Sequence, residues 1–378
     1  MMQYQPFSPV DIRFTTLRQF PEELSSLADK RVLILADEGT FGRFKASCEG
    51  FERFIQEKKN RLICDIRSNP SVEDVCRNLN LLRHEDRYDC ILAIGGGSCI
   101  DLAKAISALQ GMADTHELEH EEAVEAIRQK AFFQKCGPAD IIAVPTTAGT
   151  GSEVTRWATI WDLKNKKKLS VEHNGCFPKY AIMMPELTES MPPRLTLSTG
   201  LDALSHAMEA FWAKKRNPLS QALATDAILR IKRFLPAVIK NPLDPEARKE
   251  MCLGSLLAGL AFSMTKTAAC HSISYPLTMD HGIEHGFAAA LTLSAVMAIN
   301  EKAVPELAAI TKLFENEGFD AWLAEVSRGI KVLRLSEFGI REDMIDGIAE
   351  GAFTQGRMDN NPVPLDKESV KKILKSIL

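Results

Sequence analysis

Between Arg31 and Val144 short apolar runs alternate with helical patterns, and that alternation constrains the fold of this chain more than any other feature. Arg31-Val-Leu-Ile-Leu-Ala36, Leu62-Ile-Cys-Asp-Ile66, Asp89-Cys-Ile-Leu-Ala-Ile94 and Ile141-Ile-Ala-Val144 read as strands. Between the second and third, Asn69-Pro70 leads into Ser71, a fitting N-cap with Asp74 three residues on, for an amphipathic helix to about Arg83. Strands that alternate with helices imply βαβ units and a parallel sheet. The charged stretch Glu117–Lys135 reads as a helix packed on the outside of this domain. Between Thr159 and Val171 a lysine-rich turn, Asp162 to Lys168, separates β-like flanks and suggests a hairpin. Character changes near Pro185–Pro193. Beyond it the pattern is nearly all helical: Leu195–Lys214, Pro218–Phe234, Pro245–Thr265 and Phe287–Glu301. The expectation is an α/β domain over residues 1–190 and an all-α domain over residues 191–378.

Composition narrows the function. A chain of 378 residues with 25% charged side chains and net charge −4 carries no electrostatic footprint for nucleic acid or an anionic membrane. Small, specific ligands are the expected partners. The longest nearly apolar stretch, Ala288–Ile299, is interrupted by Thr292 and Ser294 and is too short to span a bilayer, so it reads as a buried core helix. The opening MMQYQPFSPV lacks a basic region and an apolar stretch of the secretory kind. Nine cysteines without a C-x-x-C pair suit reduced thiols in the cytoplasm. Cys270, beside His271, reads as a buried inert thiol.

Two segments look built for phosphate. Gly95-Gly96-Gly97-Ser98 follows a strand and opens a helical run, so an anion could meet bare backbone and a helix N-terminus. Taken alone, such a turn serves equally as a tight strand–helix connection. Val144-Pro-Thr-Thr-Ala-Gly-Thr-Gly-Ser-Glu-Val-Thr155 adds a second strand end, with Thr146, Thr147 and Thr150 able to donate to phosphate or ribose oxygens. Asp37, at the end of the first strand, is placed to accept from a ribose hydroxyl and to repel a 2′-phosphate, which favours NAD over NADP.

Asp202 and His206 stand at i and i+4 of a helical pattern, on one face one turn apart. By themselves they make an ordinary surface pair. His271 and His285 follow, and one carboxylate with three imidazoles suits Fe²⁺, Zn²⁺, Mn²⁺ or Co²⁺ better than Ca²⁺ or Mg²⁺.

These motifs, in this order, resemble the iron-containing (group III) alcohol dehydrogenases. The resemblance is carried by Gly95-Gly-Gly-Ser98 with Asp101 and Lys104, by Pro145 to Thr155, by Gly200-Leu-Asp-Ala-Leu-Ser-His-Ala-Met-Glu209, and by His271-x3-Tyr-Pro276 with Gly282-Ile-Glu-His-Gly286. It implies a dehydroquinate-synthase-like fold, with an N-terminal Rossmann-type NAD(P) domain and a C-terminal helical metal domain. It implies Fe²⁺ or Zn²⁺ on Asp202, His206, His271 and His285. It also implies cofactor contacts at Asp37, Gly96, Gly97, Ser98, Thr146, Thr147, Thr150 and Lys168, so Lys168 alone of the turn lysines is not read as merely solvated. The activity implied is reversible hydride transfer between NAD(P)(H) and an alcohol or aldehyde, in an enzyme commonly dimeric.

Two departures stand out. Where many members carry a histidine four residues after the third ligand, this chain has Tyr275, which becomes the candidate for proton transfer. Phe14-Thr15 replaces the usual Phe-Gly. The run from His271 to Thr278, with Thr155-Arg-Trp-Ala-Thr159, is similar to phosphonoacetaldehyde-reductase-like members, which would set Arg156 or Arg194 against an anionic substrate tail. Structural ion pairs are the plainer use of both arginines. The rival reading is a lyase or cyclase of the dehydroquinate-synthase type using NAD transiently; it would call for Glu at position 202.

Overall fold

A computed structural model describes residues 8–133, 137–314 and 317–378. The opening seven residues and the last two of the Glu117–Lys135 stretch therefore lie outside the described residues. The chain packs as two compact units: Ser8–Thr147 with Ser152–Thr188, and Ala148–Gly151 with Glu189–Leu378.

The first unit is a parallel sheet flanked by helices. In chain order its strands are β1 (Asp11–Phe14), β2 (Val32–Ala36), β3 (Arg61–Ile63), β4 (Cys90–Gly95), β5 (Asp140–Pro145) and, after a hairpin, β8 (Tyr180–Met183). Their spatial order is β1-β8-β5-β4-β2-β3, with every neighbour parallel. The unbroken apolar character of β2, β4 and β5 has a direct cause, because both faces of the sheet are covered. Leu33, Leu35, Ile91 and Ala93 enter one core, while Val32, Ile34, Leu92 and Ile94 enter the other. Sequence patterning missed β1, an edge strand whose Asp-Ile-Arg-Phe is half exposed and carries no continuous apolar signal. The lysine-rich turn does join an antiparallel hairpin, β6 (Trp157–Asp162) and β7 (Lys167–Glu172). Ser71 and Asp74 form the reciprocal cap of the helix Val72–Leu81.

In the second unit the helices Pro193–Trp212, Pro218–Lys240 and Pro245–Thr265 pack against one another. Each has proline in its first turn, where the missing N–H costs nothing. Pro276 does not end a helix. It sits inside Ala269–His281, where every residue from Ala269 to Thr278 is buried and packing outweighs the proline penalty. The apolar stretch after it is two helices, His285–Ala290 and Leu293–Asn300. No single helix among the described residues is long and apolar enough to cross a membrane.

One buried cation ties the first unit together. Lys104, fully buried on the helix Gly97–Leu109, donates to the carbonyls of Ser152 (2.6 Å) and Trp157 (2.9 Å) and to the hydroxyls of Ser152 and Thr155. Burial pushes its ammonium down to about 8 against the attraction of Asp101. Asp101 in turn accepts from Ser152 Oγ at 2.5 Å and the Thr159 amide at 2.8 Å. Lys104→Met is expected to lower stability by about 3 kcal/mol, since it strands the Asp101 charge. Urea unfolding would read this as an earlier midpoint.

Candidate functional site

The helix Pro193–Trp212 carries Asp202 and His206 on its buried face. Ala269–His281 supplies His271 from its first turn, and His285 opens the short helix that follows. Together they bring Asp202, His271 and His285 into one cluster, with a ligand atom from each within 4.8 Å of the others. Oδ1 of Asp202 stands 3.5 Å from His271 Nε2 and 3.9 Å from His285 Nε2. Two atoms bonded to one first-row ion at about 2.1 Å can be at most about 4.2 Å apart, so both distances fit a shared metal. His206 is adjacent but outside that three-residue set. Its ring stacks on His271 at 4.4 Å and on Phe262 at 4.1 Å, and its Nδ1 is 3.9 Å from Asp202 Oδ2.

Asp202 Oδ1, His206 Nδ1 and His271 Nε2 are all buried and make no hydrogen bond. Buried polar atoms without partners are costly and rare. His271 explains the pattern. Its Nδ1 meets Glu209 Oε2 at 2.5 Å, so whenever the ring is neutral its proton stays there and the Nε2 lone pair is turned toward a carboxylate oxygen. Two such acceptors face each other favourably only across a positive charge, either a proton on Nε2 or a divalent metal that takes its place. The residues fit the group.

The charges of the cluster act strongly on one another. Burial opposes the Asp202 carboxylate, yet His206, His271 and His285 hold it well below the usual range. Burial pushes His206 down to about 3, leaving it a neutral imidazole able to coordinate. His271 is opposed by burial but pushed up to about 10 by Glu209 and Asp202. Cys270 is no nucleophile: burial, and then Glu209, push its thiol well above the ordinary value.

Packing fixes where His285 can be. A Cβ on Gly286 would stand 1.8 Å from the carbonyl oxygen of Ser198, one turn before Asp202, so only glycine allows this approach. Immediately before His285, Glu284 forms a two-pronged pair with Arg194 at 2.5 and 2.6 Å. Arg156 pairs with Glu172 at 3.3 Å. Both arginines that the sequence offered to an anion therefore meet carboxylates of this chain. Tyr275 lies one turn after His271, with its ring parallel to that of His285 and centroids 6.1 Å apart.

In the first unit the phosphate-type residues gather where the strand order reverses, between β2 and β4, the place where open α/β sheets bind ligands. Asp37 caps the helix Glu38–Ser47, accepting from the Thr40 amide and hydroxyl at 2.9 and 2.8 Å. A Cβ on Gly95 would come within 3.5 Å of its carboxylate, so the end of β2 and the glycine turn are neighbours. Gly96 caps the helix Gly97–Leu109, and Ser98 is in its first turn. Thr146 donates its amide to Gly95, and Thr147 packs against Gly96. Thr150 lies in 148–151, which groups with the helical unit, where a Cβ at Gly149 would strike Thr199 and one at Gly151 would strike Gly259. Lys168, on β7, is close enough to Asp101 to favour its charged form. Sequence reasoning missed Asn69, whose amide donates to Ser98 Oγ at 3.0 Å from a left-handed φ of 56°. The Asn-Pro pair was the available signal. It also missed any role for Glu209, although its place seven residues after Asp202, on the same helix face, was readable.

A model of iron-containing alcohol dehydrogenases matches residues 9–185, and one of the C-terminal part of the Fe-containing alcohol dehydrogenase family matches residues 196–378. The chain is 32% identical over 375 residues to an NADPH-dependent butanol dehydrogenase of Clostridium saccharobutylicum, covering 94% of each protein. It is 30% identical over 377 residues to an NAD-dependent methanol dehydrogenase of Bacillus methanolicus, covering 96% of each. In structure it is similar to a sulfoacetaldehyde reductase from Bifidobacterium kashiwanohense in complex with NAD+, with a TM-score of 0.85, 29% identity, and coverage of 100% of this chain and 99% of that one.

Gly286→Ala should displace His285 and lower the metal content of the purified protein, measured by atomic absorption. Wild-type metal content in that variant would contradict the close approach to Ser198.

Proposed function

The chain belongs to the iron-containing alcohol dehydrogenase family, NAD(P)-dependent oxidoreductases of alcohols and aldehydes, and from that premise we propose how its residues divide the work. Asp202, His206, His271 and His285 hold a divalent metal, Fe²⁺ or Zn²⁺. The observation that carries this reading is the convergence of Asp202 Oδ1 with two imidazole nitrogens, where buried acceptors lack any hydrogen bond. When bound, the metal supplies Lewis-acid polarisation of a substrate oxygen, and the nicotinamide donates or accepts hydride.

The remaining steps fall to the protein. Gly96, Gly97 and Ser98 offer helix N-terminal amides to the cofactor pyrophosphate. Thr146, Thr147, Thr150 and Lys168 donate to its oxygens. Asp37 accepts from the adenosine ribose and repels a 2′-phosphate, so NAD is preferred to NADP. Tyr275 passes the proton between substrate hydroxyl and solvent; its place against the His285 ring supports the assignment. The reading extends to a homodimer working in the cytoplasm, with the described cysteines free and nearly all buried.

The substrate is a small alcohol or aldehyde. A phosphonate-like tail has weaker support, because Arg156 and Arg194 already meet Glu172 and Glu284, although a similar structure is named for sulfoacetaldehyde. A panel of aldehydes with and without anionic tails, assayed against NADH and NADPH with Fe²⁺ or Zn²⁺, distinguishes these. Net NADH consumption also separates this reading from a cyclase, which regenerates its NAD.

His271→Ala is expected to abolish metal-dependent NADH oxidation by aldehydes; full activity in that variant at low metal would overturn the assignment. Tyr275→Phe is expected to reduce kcat by about 100-fold, the usual scale for a lost proton donor, with metal content unchanged. Steady-state kinetics across a pH series reads that loss.

A further inference from the structure

Glu209 is a fully buried carboxylate on the Asp202 helix, two turns beyond Asp202. Both its oxygens reach the first turn of the helix Ala269–His281. Oε1 accepts from the Cys270 amide at 2.6 Å and from the His271 amide at 3.4 Å, while Oε2 meets His271 Nδ1 at 2.5 Å. That helix begins at Ala268, which has no side-chain cap, so Glu209 fills the role from a different helix.

We propose that Glu209 is the positioning residue of the metal centre, acting through His271. A carboxylate only accepts, so in the neutral ring that binds metal the proton must sit on Nδ1 and the Nε2 lone pair must point toward the side of Asp202 Oδ1, 3.5 Å away. The two backbone contacts hold Oε1 still, so Oε2 has one place to be and the imidazole one orientation. This rests on the reading of Asp202, His271 and His285 as ligands.

The chemistry makes glutamine a sharp probe. Glu209→Gln keeps the size and shape of the side chain. If its amide oxygen stays on the two backbone N–H groups, its NH₂ faces His271 Nδ1 and donates to it. The ring proton then moves to Nε2, where it blocks coordination. If the amide flips, two backbone donors confront an NH₂ group. Either way the site is spoiled without a change of volume.

The test is Co²⁺ binding to metal-stripped protein, followed by d–d absorption and competition with a chelator. Glu209→Gln should weaken affinity by about 10- to 100-fold, the scale of a lost partner behind a metal-bound histidine. In a His271→Ala background the same substitution should change affinity by less than about twofold, because coupled residues do not add. Wild-type affinity in Glu209→Gln, or an equal loss in both backgrounds, would overturn the proposal. Long-range ¹H–¹⁵N spectra of the Zn²⁺-loaded wild-type protein give a readout that needs no variant. Nδ1 of His271 should be protonated and Nε2 bare, and the reverse would overturn the role of Glu209 alone. Failure of the wild-type protein to bind Zn²⁺ would overturn the ligand reading beneath it.

Discussion

A carboxylate buried among three imidazoles governs the helical unit. Asp202 is almost without solvent, and its charge is tolerable only because His206, His271 and His285 surround it. Each partner comes by a different route: one from the next turn of the same helix, one from a helix start held by Glu209, one from a short helix seated against a main-chain carbonyl. A stack of Phe262, His206 and His271 rings closes one side. A cluster of this kind is costly unless every polar atom finds a partner, and a metal ion satisfies the ones that the protein leaves over.

The sheet unit answers a different demand. Strands covered on both faces have no polar side to spare, so ligand contacts are confined to strand ends and the turns that leave them. Asp37, the Gly95–Ser98 turn and Thr146 gather there because β2 and β4 are neighbours at the reversal of strand order. Lys104 and Asp101 work from below, fixing the segment after Gly151 by hydrogen bonds to its backbone.

Much of this was readable in the sequence. Apolar runs marked β2, β4 and β5, the Ser71 cap marked its helix, and proline followed by periodicity marked Pro245–Thr265 at both ends. Local signals have local causes. What escaped was set by distant packing. Strand β1 is half exposed and owes its existence to β8, which lies far along the chain. Pro276 continues a helix because its surroundings are buried. The grouping of 148–151 with the helical unit rests on the close approach of Gly149 to Thr199 and of Gly151 to Gly259. The sequence favoured ion pairs for Arg156 and Arg194 but could not name Glu172 and Glu284 as their partners. The partnership of Glu209 with His271 spans 62 residues, and no periodicity announces it.

The contact of Gly286 with the Ser198 carbonyl has a consequence for how this chain can vary. In a regular helix that carbonyl accepts from the amide of residue 202, so one oxygen serves both the turn that carries Asp202 and the backbone that carries His285. A larger residue at 286 cannot be relieved by trimming a neighbouring side chain, because the obstacle is main chain. Its compensation would have to bend the Asp202 helix itself, and Asp202 and His206 would move with it. The position therefore has no conservative neighbours: the step from no side chain to one methyl group already collides with main chain.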